Sequence, residues 1–265
     1  MSTLAALVQK TDAEATMDAL RDEGIYDDER RVREQDDDHL AVPILAHPTE
    51  TAVADVFEQD DPDYRRIGLD SLLEDRGFSA AEIDRAPSSW AVIGDVLLLR
   101  FGDCDRREAV ADALLELHRE ADTVLDRHGI TGETRKPDVE IIAGSGDTET
   151  IHYEHGTAYA LDLSRVMFAP GNKAERAHMG DVVEHDETVL DMFAGIGYFT
   201  LPMARAGARV TAVEKNPEAF RFLSENAALN EVHDRVELLL GDCRDVVDNR
   251  VAAADPRFDR VVMGY

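Results

Sequence analysis

The stretch Asp191-Met-Phe-Ala-Gly-Ile-Gly-Tyr-Phe-Thr200 decides the fold of this chain. The apolar run 189–192 predicts a short buried strand, and the residues after the glycines predict a helix. Gly195 and Gly197 allow the backbone to turn tightly and to approach a ligand with no Cβ in the way. In a dinucleotide-binding fingerprint the third glycine would fall at Thr200. The turn therefore favours a ligand without a pyrophosphate.

Strands and helices alternate strictly on the C-terminal side of this turn. The predicted strands are 189–192, 209–213, 236–240 and 260–263, and the predicted helices are 198–206 and 217–229. Such alternation specifies a parallel, doubly wound α/β sheet with helices on both faces. Four strands are fewer than the about five or six of an average sheet. We therefore expect further C-terminal strands to be missing after Tyr265.

Two acids follow the next two strands at the same edge of the sheet. Glu214 precedes Asn216, a good N-cap, and Pro217, which suits a first helical turn. An acid at this strand tip accepts hydrogen bonds from ribose hydroxyls, and Asp242 after the third strand is placed to accept from an adenine amino group. Taken alone, Asp191 or Asp242 is equally consistent with a helix cap. Together the glycine turn and the acids predict an adenosine site without phosphates, which is the chemistry of S-adenosylmethionine (AdoMet).

Three regions are expected along the chain. They are a small N-terminal α+β domain at 1–63, an α+β middle domain with an antiparallel sheet at 64–180, and the AdoMet-binding α/β domain at 181–265. In the first, 47–63 is predicted to be a linker or a poorly packed loop. In the second, Trp90–Arg100 predicts one buried strand and Arg107–His128 one long amphipathic helix ended by Gly129.

Four strings carry a resemblance to a known family: DMFAGIGYFTLP at 191–202, EKNP at 214–217, ENAALN at 225–230 and GDCRDV at 241–246. They resemble the class I methyltransferase domain of the family that holds tRNA position-37 guanine-N1 methyltransferase and the wybutosine-pathway aminocarboxypropyltransferase. The resemblance continues upstream through 150–156 and 166–176 and covers most of the chain from about Trp90. It implies a Rossmann-like AdoMet-dependent methyltransferase domain preceded by small α+β domains.

Tyr198, the segment Phe168–Asn172 and the ending Met263-Gly264-Tyr265 are similar to the aminocarboxypropyltransferase branch. The methyltransferase branch typically has a proline after the glycine turn. The resemblance therefore implies transfer of the 3-amino-3-carboxypropyl group of AdoMet to the modified guanosine at position 37 of tRNA, in wyosine-derivative biosynthesis. The alternatives are tRNA (guanine-37-N1) methyl transfer, another AdoMet-dependent methyltransferase, or a non-catalytic nucleic-acid-binding module.

The resemblance also assigns residues. Arg176 is expected at the methionine end of AdoMet, Glu214 at the ribose, and Asp242 with Cys243 at the adenine, whereas Ala169 replaces a serine usual in the family. The predicted cofactor-binding residues are Arg176, Asp191, Phe193, Gly195, Gly197, Glu214, Asp242 and Cys243. The predicted substrate-side residues are Asn172, Tyr198 and Tyr265. No catalytic base is identified, and no metal site is predicted.

The net charge of the chain bears on the kind of partner that it can bind. With 28 basic against 56 acidic residues the net charge is −28, and lysine supplies four of the 28. Such acidity argues against a nucleic-acid partner, yet the motifs point to tRNA. We interpret the acidity as adaptation of the outer surface to high salt, where screening removes self-repulsion, and we expect a haloarchaeal origin. No apolar run approaches the roughly 20 residues of a membrane span, so a monomeric cytoplasmic protein with free Cys104 and Cys243 is expected.

Overall fold

The computed structural model describes residues 3–63, 68–246 and 258–264. The chain forms two compact units, Met1–Leu72 and Leu73–Tyr265, and helix α2 (Leu69–Asp75) crosses the division between them. The division of the sequence at 63 and 180 stays a prediction. Among the described residues, no helix has both the length and the apolar character that crossing a bilayer requires.

The first unit is an antiparallel sheet with one helix. Its elements are β1 (Leu4–Gln9), α1 (Ala13–Asp22), β2 (Arg33–Glu34), β3 (His39–Pro43) and β4 (Asp55–Glu58). The strand order is β2-β3-β1-β4. The prediction that 47–63 is a linker is wrong, because β4 pairs with β1 along four residues. Val56 of β4 packs on the core of the unit, and this contact outweighs the acidic, proline-containing flanks.

The second unit begins with a four-stranded mixed sheet. After α3 (Ala80–Ile83) come β5 (Trp90–Ile93), β6 (Val96–Leu99), α4 (Arg107–Leu117), β7 (Thr123–Thr131) and β8 (Lys136–Gly144). The sheet order is β5-β6-β7-β8, with β6 and β7 parallel and the other pairs antiparallel. The parallel pair departs from the antiparallel sheet expected here.

Two sequence predictions in this sheet are wrong. The single strand expected over Trp90–Arg100 is a hairpin, because Gly94 turns the chain with a φ of +58°. The long helix expected over Arg107–His128 ends at Leu117, since His118 leaves the helical region and accepts a hydrogen bond from Trp90 Nε1 at 2.7 Å. The buried residues 123–126 then form the start of β7 beside β6.

A hairpin with one buried strand connects this sheet to the rest of the unit. It consists of β9 (Glu149–Glu154) and β10 (Thr157–Asp162), and every residue of β10 is buried. A 3-10 turn at Pro170–Asn172 and helix α5 (Lys173–Asp181) follow.

The parallel sheet follows. Its elements are β11 (Thr188–Asp191), α6 (Thr200–Arg205), β12 (Arg209–Glu214), α7 (Pro217–Leu229), β13 (Val236–Leu240) and β14 (Arg260–Val262). The order is β13-β12-β11-β14 and all three pairings are parallel. The predicted α/β alternation is thereby confirmed. One apolar core joins β10, α6, α7 and this sheet to residues of β5, β6 and β7.

Two asparagines, Asn226 in α7 and Asn230 at its C-terminal cap, bind the open edge of β10. Asn226 accepts from the amide of Ala160 at 2.7 Å and donates to its carbonyl at 3.0 Å, and Asn230 does the same with Ala158 at 2.9 and 2.7 Å. Positions i and i+4 of a helix are about 6 Å apart, close to the roughly 6.6 Å between i and i+2 of a strand. The two side chains therefore replace the neighbouring strand that β10 lacks on this edge.

Candidate active site

A cavity of about 700 Å³ lies at the carboxyl ends of β11, β12 and β13. Open parallel sheets bind ligands at this edge, outside the strand ends. Its walls come from the glycine turn after β11, the tips of β12 and β13, the 3-10 turn with α5, and the tip of the β7–β8 hairpin.

The glycine turn requires both glycines. Gly195 has a φ of +58° and Gly197 a φ of +105°, a region that favours glycine. A Cβ on Gly195 would lie 2.5 Å from the Tyr198 ring, and a Cβ on Gly197 would lie 2.7 Å from Leu201. Asn226 also donates to the carbonyl of Ile196 at 3.0 Å. The same side chain thus secures the middle of the turn and the β10 edge.

Asp191 lies behind the turn rather than in the cavity. Its side chain is fully buried, accepts from the Thr200 hydroxyl at 2.7 Å, and accepts a longer hydrogen bond from the Phe193 amide at 3.4 Å. Burial raises the pKa of Asp191 to about 6. Thr200, which breaks the dinucleotide fingerprint, is therefore the partner of Asp191, and the pair holds the turn in place.

Glu214 is fixed at the tip of β12. One carboxylate oxygen accepts from the Gly195 amide at 2.7 Å and the other accepts from the Asn216 amide at 2.6 Å. Asn216 in turn caps α7 by accepting from the Glu218 amide at 3.0 Å, as predicted for an N-cap. Each oxygen of a carboxylate has a second lone pair, so Glu214 can still accept from two hydroxyls of a ligand.

Asp242 already has cationic partners in the wall. Arg244 binds it in a bidentate manner at 2.9 and 2.7 Å, and Lys215 lies 3.5 Å away. The hydrogen bonds from Arg244 hold the pKa of Asp242 well below its usual range. Cys243 beside it is buried and packs against Leu190 and Val213. Asp242 is thus ionised, and Arg244 and Lys215 fix the orientation of its carboxylate whichever ligand group it faces.

The β7–β8 hairpin reaches across the cavity, which the sequence did not predict. Glu133 forms an ion pair with Lys215 at 3.0 Å, and Asn216 Nδ2 donates to the carbonyl of Thr134 at 3.2 Å. These residues are 82 positions apart in the chain. Nothing local in the sequence signals the contact, because it arises only when the two sheets pack.

Arg176 joins the cavity to the β9–β10 hairpin. Its guanidinium donates to both oxygens of Glu154, at 2.6 and 2.9 Å, and to the carbonyl of Ala169 at 2.9 Å. Both partners are almost completely buried, and although burial alone would raise it, Arg176 holds the pKa of Glu154 below its usual range. His152 lies 3.1 Å from the same carboxylate. The sequence did not predict a role for Glu154, because nothing local distinguishes it from the many other acidic residues.

Aromatic side chains form the apolar part of the wall. Tyr198 packs on Phe168, with the ring centroids 5.8 Å apart, and the Tyr159 hydroxyl donates to the Tyr198 carbonyl at 3.3 Å. Burial raises the pKa of Tyr198 well above its usual range, so the phenol stays neutral. Phe193 is half exposed at the rim. The cavity therefore combines a flat apolar wall with a few fixed polar groups.

Most of the predicted site residues meet at this cavity. Those that line it are Asn172, Arg176, Phe193, Gly195, Tyr198, Glu214, Asp242 and Cys243. Asp191 and Gly197 instead support the turn from behind, and Tyr265 lies outside the described residues. A direct cofactor contact of each residue stays a prediction.

One other cluster has ligand-like spacing. In the described part of the chain, Asp126, His128 and Glu140 have side-chain atoms close enough to share a metal ion. Arg107 already donates to Asp126 at 3.0 Å and to Glu140 at 2.9 Å. The guanidinium supplies the positive charge between these acids.

Comparison with known families agrees with this geometry. A model described as the TRM5/TYW2 methyltransferase domain matches residues 150–265, and one described as the TYW2 N-terminal domain matches residues 69–148. The resemblance drawn from the motifs is therefore confirmed.

Two similar proteins illustrate the relationship. The tRNA(Phe) (4-demethylwyosine(37)-C(7)) aminocarboxypropyltransferase of Pyrococcus horikoshii is 45% identical over 183 residues, which cover 68% of this chain and 63% of that protein. The tRNA (guanine(37)-N(1))-methyltransferase Trm5b of Pyrococcus abyssi is 33% identical over 180 residues, 67% of this chain and 52% of that protein. The chain thus spans less than two thirds of these curated relatives.

A solved structure shows the same fold. The crystal structure of P. horikoshii TYW2 in complex with MeSAdo matches with a TM-score of 0.59 and 37% identity, over 73% of this chain and 68% of that chain. The expected class I, Rossmann-like methyltransferase fold preceded by an α+β region is confirmed. From its motifs, its sheet topology and these matches, the chain belongs to the TRM5/TYW2 methyltransferase family.

Proposed function

We propose that the chain is an AdoMet-dependent transferase that modifies tRNA at position 37 by transferring a 3-amino-3-carboxypropyl group. The observation that carries the proposal is the Glu214 carboxylate, held between the amides of Gly195 and Asn216 at the mouth of the cavity. Its remaining lone pairs point to a ligand with a pair of hydroxyls and no phosphate at this position.

The residues present fit AdoMet. A cavity of about 700 Å³ lies within the usual range of about 300–1,000 Å³ for small-ligand sites. Gly195 leaves the space that a Cβ would fill beside Tyr198, and the half-exposed Phe193 offers a ring face at the rim. Two of the five N–H groups of Arg176 remain after its bonds to Glu154 and Ala169, so it can also receive a carboxylate.

Which group is transferred depends on which carbon bonded to the sulfonium sulfur faces the nucleobase of the tRNA. When bound, AdoMet would supply an electrophilic γ-carbon: as a ring carbon of the nucleobase bonds to it, its bond to sulfur would break, methylthioadenosine would leave, and the ring carbon would release its proton. The chain contributes positioning: Glu214 and Asp242 are fixed, and the Arg176–Glu154 pair holds the segment around Ala169. Such positioning can supply about 7–11 kcal/mol of the barrier.

The similar proteins indicate which group of AdoMet is transferred. The P. horikoshii aminocarboxypropyltransferase is 45% identical, against 33% for the guanine-N1 methyltransferase of P. abyssi. The upstream region 69–148 matches the TYW2 N-terminal domain, and the solved P. horikoshii TYW2 contains MeSAdo. These observations favour carboxypropyl transfer over methyl transfer.

The test uses AdoMet labelled separately in its methyl and its carboxypropyl carbons, with tRNA whose guanosine 37 carries the preceding modification. We expect label in the tRNA only from the carboxypropyl carbons. Label only from the methyl group would overturn the proposal in favour of methyl transfer. No transfer of either label, with AdoMet bound in equilibrium dialysis, would overturn it in favour of a binding module. Glu214→Ala should weaken AdoMet binding at least tenfold, as loss of charge-assisted hydrogen bonds predicts.

The proposal includes a monomeric, cytoplasmic protein adapted to high salt. The salt adaptation is supported by the net charge of −28 and the scarcity of lysine. Light scattering coupled to gel filtration, run from dilute buffer to about 3 M KCl, tests the oligomeric state and the salt adaptation, since about 1 M salt shortens the screening length to about 3 Å. A folded, monodisperse protein in dilute buffer would contradict the halophilic interpretation, and a dimer would contradict the monomer.

A further inference from the structure

A second cavity, distinct from the AdoMet cavity, opens on the β5–β8 sheet. It measures about 530 Å³, and three arginines line it: Arg85, Arg100 and Arg127. No motif in the sequence marked these residues. The density of arginine is unusual because acidic residues outnumber basic ones by two to one in this chain.

Arg100 and Arg127 follow the last paired position of β6 and β7. In the parallel pairing of β6 with β7, Leu99 lies opposite Asp126, so Arg100 and Arg127 follow at adjacent positions. Both arginines are exposed. Like charges directly opposite each other on neighbouring strands destabilise a sheet. This placement therefore costs stability unless an anion lies between them.

The chain itself does not neutralise this pair. Within 3–63, 68–246 and 258–264, neither Arg100 nor Arg127 forms a hydrogen bond or ion pair through its guanidinium. Arg85 pairs with Asp105 at 3.3 Å, and Asp103 is the carboxylate on the cavity wall. Asp126, the nearest buried acid, points to the other face, where it binds Arg107 at 3.0 Å and the Phe101 amide at 3.2 Å. The cavity therefore keeps a net positive charge.

The arginine cavity adjoins the AdoMet cavity. Pro170 lines the former, while its neighbour Ala169 and the nearby Asn172 line the latter. The 3-10 turn Pro170–Asn172 is thus a wall between them. A nucleotide chain whose reactive base enters the AdoMet cavity extends on both sides of that base, and its phosphates can reach the arginines across this wall.

We propose that Arg100 and Arg127 bind backbone phosphates of the tRNA next to the modified nucleotide. Guanidinium groups suit phosphate because they offer paired donors in a plane. This surface gives a strongly acidic protein a local positive site for RNA, while the rest of its surface repels the polyanion. The identity of the RNA as tRNA rests on the proposed function. The affinity of the two arginines for phosphate does not depend on it.

The test measures tRNA binding by fluorescence anisotropy for the full chain and for Arg100→Gln, Arg127→Gln and the double variant. Arg119→Gln is the matched control, because Arg119 is also exposed and lies outside the cavity. We expect each cavity variant to weaken binding about tenfold and to reduce the slope of log K against log salt by about one. The control should change neither quantity appreciably.

Two further measurements separate this inference from the proposed function. AdoMet binding by dialysis should be unchanged in the double variant, and its thermal midpoint should not fall, because removing the two like charges relieves their repulsion. If tRNA binding falls only in the cavity variants but no group is transferred by the wild type, the phosphate site stands and the proposed function fails. If the double variant binds tRNA like the wild type or like Arg119→Gln, the phosphate site is refuted even where group transfer is observed.

Discussion

Asn226 is expected to support both the fold and the cofactor site. Its amide makes three buried hydrogen bonds, to the amide and carbonyl of Ala160 and to the carbonyl of Ile196. Asn226→Ala leaves three backbone groups without these partners, and each buried unsatisfied group costs about 1–3 kcal/mol. Allowing for partial relaxation, we expect a loss of about 3–5 kcal/mol in the free energy of unfolding.

Asn230 provides the matched control. It also makes three buried bonds, to both backbone groups of Ala158 and to the carbonyl of Asn226, but it does not touch the glycine turn. Asn230→Ala should therefore also destabilise, but by somewhat less, because the Asn226 carbonyl still accepts from the Asn230 backbone amide at 3.0 Å. Only Asn226→Ala should also weaken AdoMet binding, by about tenfold, because it alone releases the Ile196 carbonyl.

The assays are urea unfolding followed by circular dichroism and calorimetric titration with AdoMet at a temperature where both variants are folded. Asn226→Asp adds a sharper comparison, because it keeps an acceptor for the Ala160 amide but turns oxygen toward two carbonyls. We expect it to be at least as unstable as Asn226→Ala at pH 7. Equal AdoMet affinities for Asn226→Ala and Asn230→Ala, or a loss of stability below about 1 kcal/mol, would refute this account.

Three other outcomes are expected. Gly197→Ala should destabilise by about 2–5 kcal/mol, because its φ is +105° and the added Cβ would lie 2.7 Å from Leu201; an unchanged thermal midpoint would contradict this. For Asp191 the folded pKa of about 6 lies above the unfolded value, so its contribution to stability is complete below about pH 4 and is lost as the pH rises through 6. The unfolding free energy of the wild type relative to Asp191→Asn should thus fall by about 3 kcal/mol over that range in urea titrations; a constant difference would refute it. Glu154→Gln should cost about 3–5 kcal/mol by leaving Arg176 charged and unpaired in a buried position, and the double variant with Arg176→Gln should cost less than the sum of the single changes; simple additivity would argue against the pair.

The parallel sheet was predictable because its signals are local. Short apolar runs, glycines after the first strand and the Asn216-Pro217 cap each specify a structure within a few residues. The observed strands and helices of this region agree with the predicted ones to within two residues at the ends. The acids at the strand tips could be placed at one edge because parallel strands end on the same side.

The errors upstream have a common physical cause. Over Arg107–His128 the apolar residues keep a helical spacing, so periodicity alone predicts one helix. The helix ends at Leu117 because residues 123–126 are stabilised more by pairing with β6 in the buried sheet than by continuing the helix. Likewise β4 forms on the available edge of β1. Pairing with a distant strand overrides local preference in both cases.

The sequence by itself determined the α/β alternation, the glycine turn and the acids at the strand tips, because each depends on neighbours in the chain. Tertiary structure decided how the site is held: Glu154 under Arg176, Asn226 against β10 and the turn, and the β7–β8 hairpin across the cavity. These contacts join residues 22 to 82 positions apart. Their energies depend on burial and on hydrogen-bond geometry, which exist only after the sheets pack together.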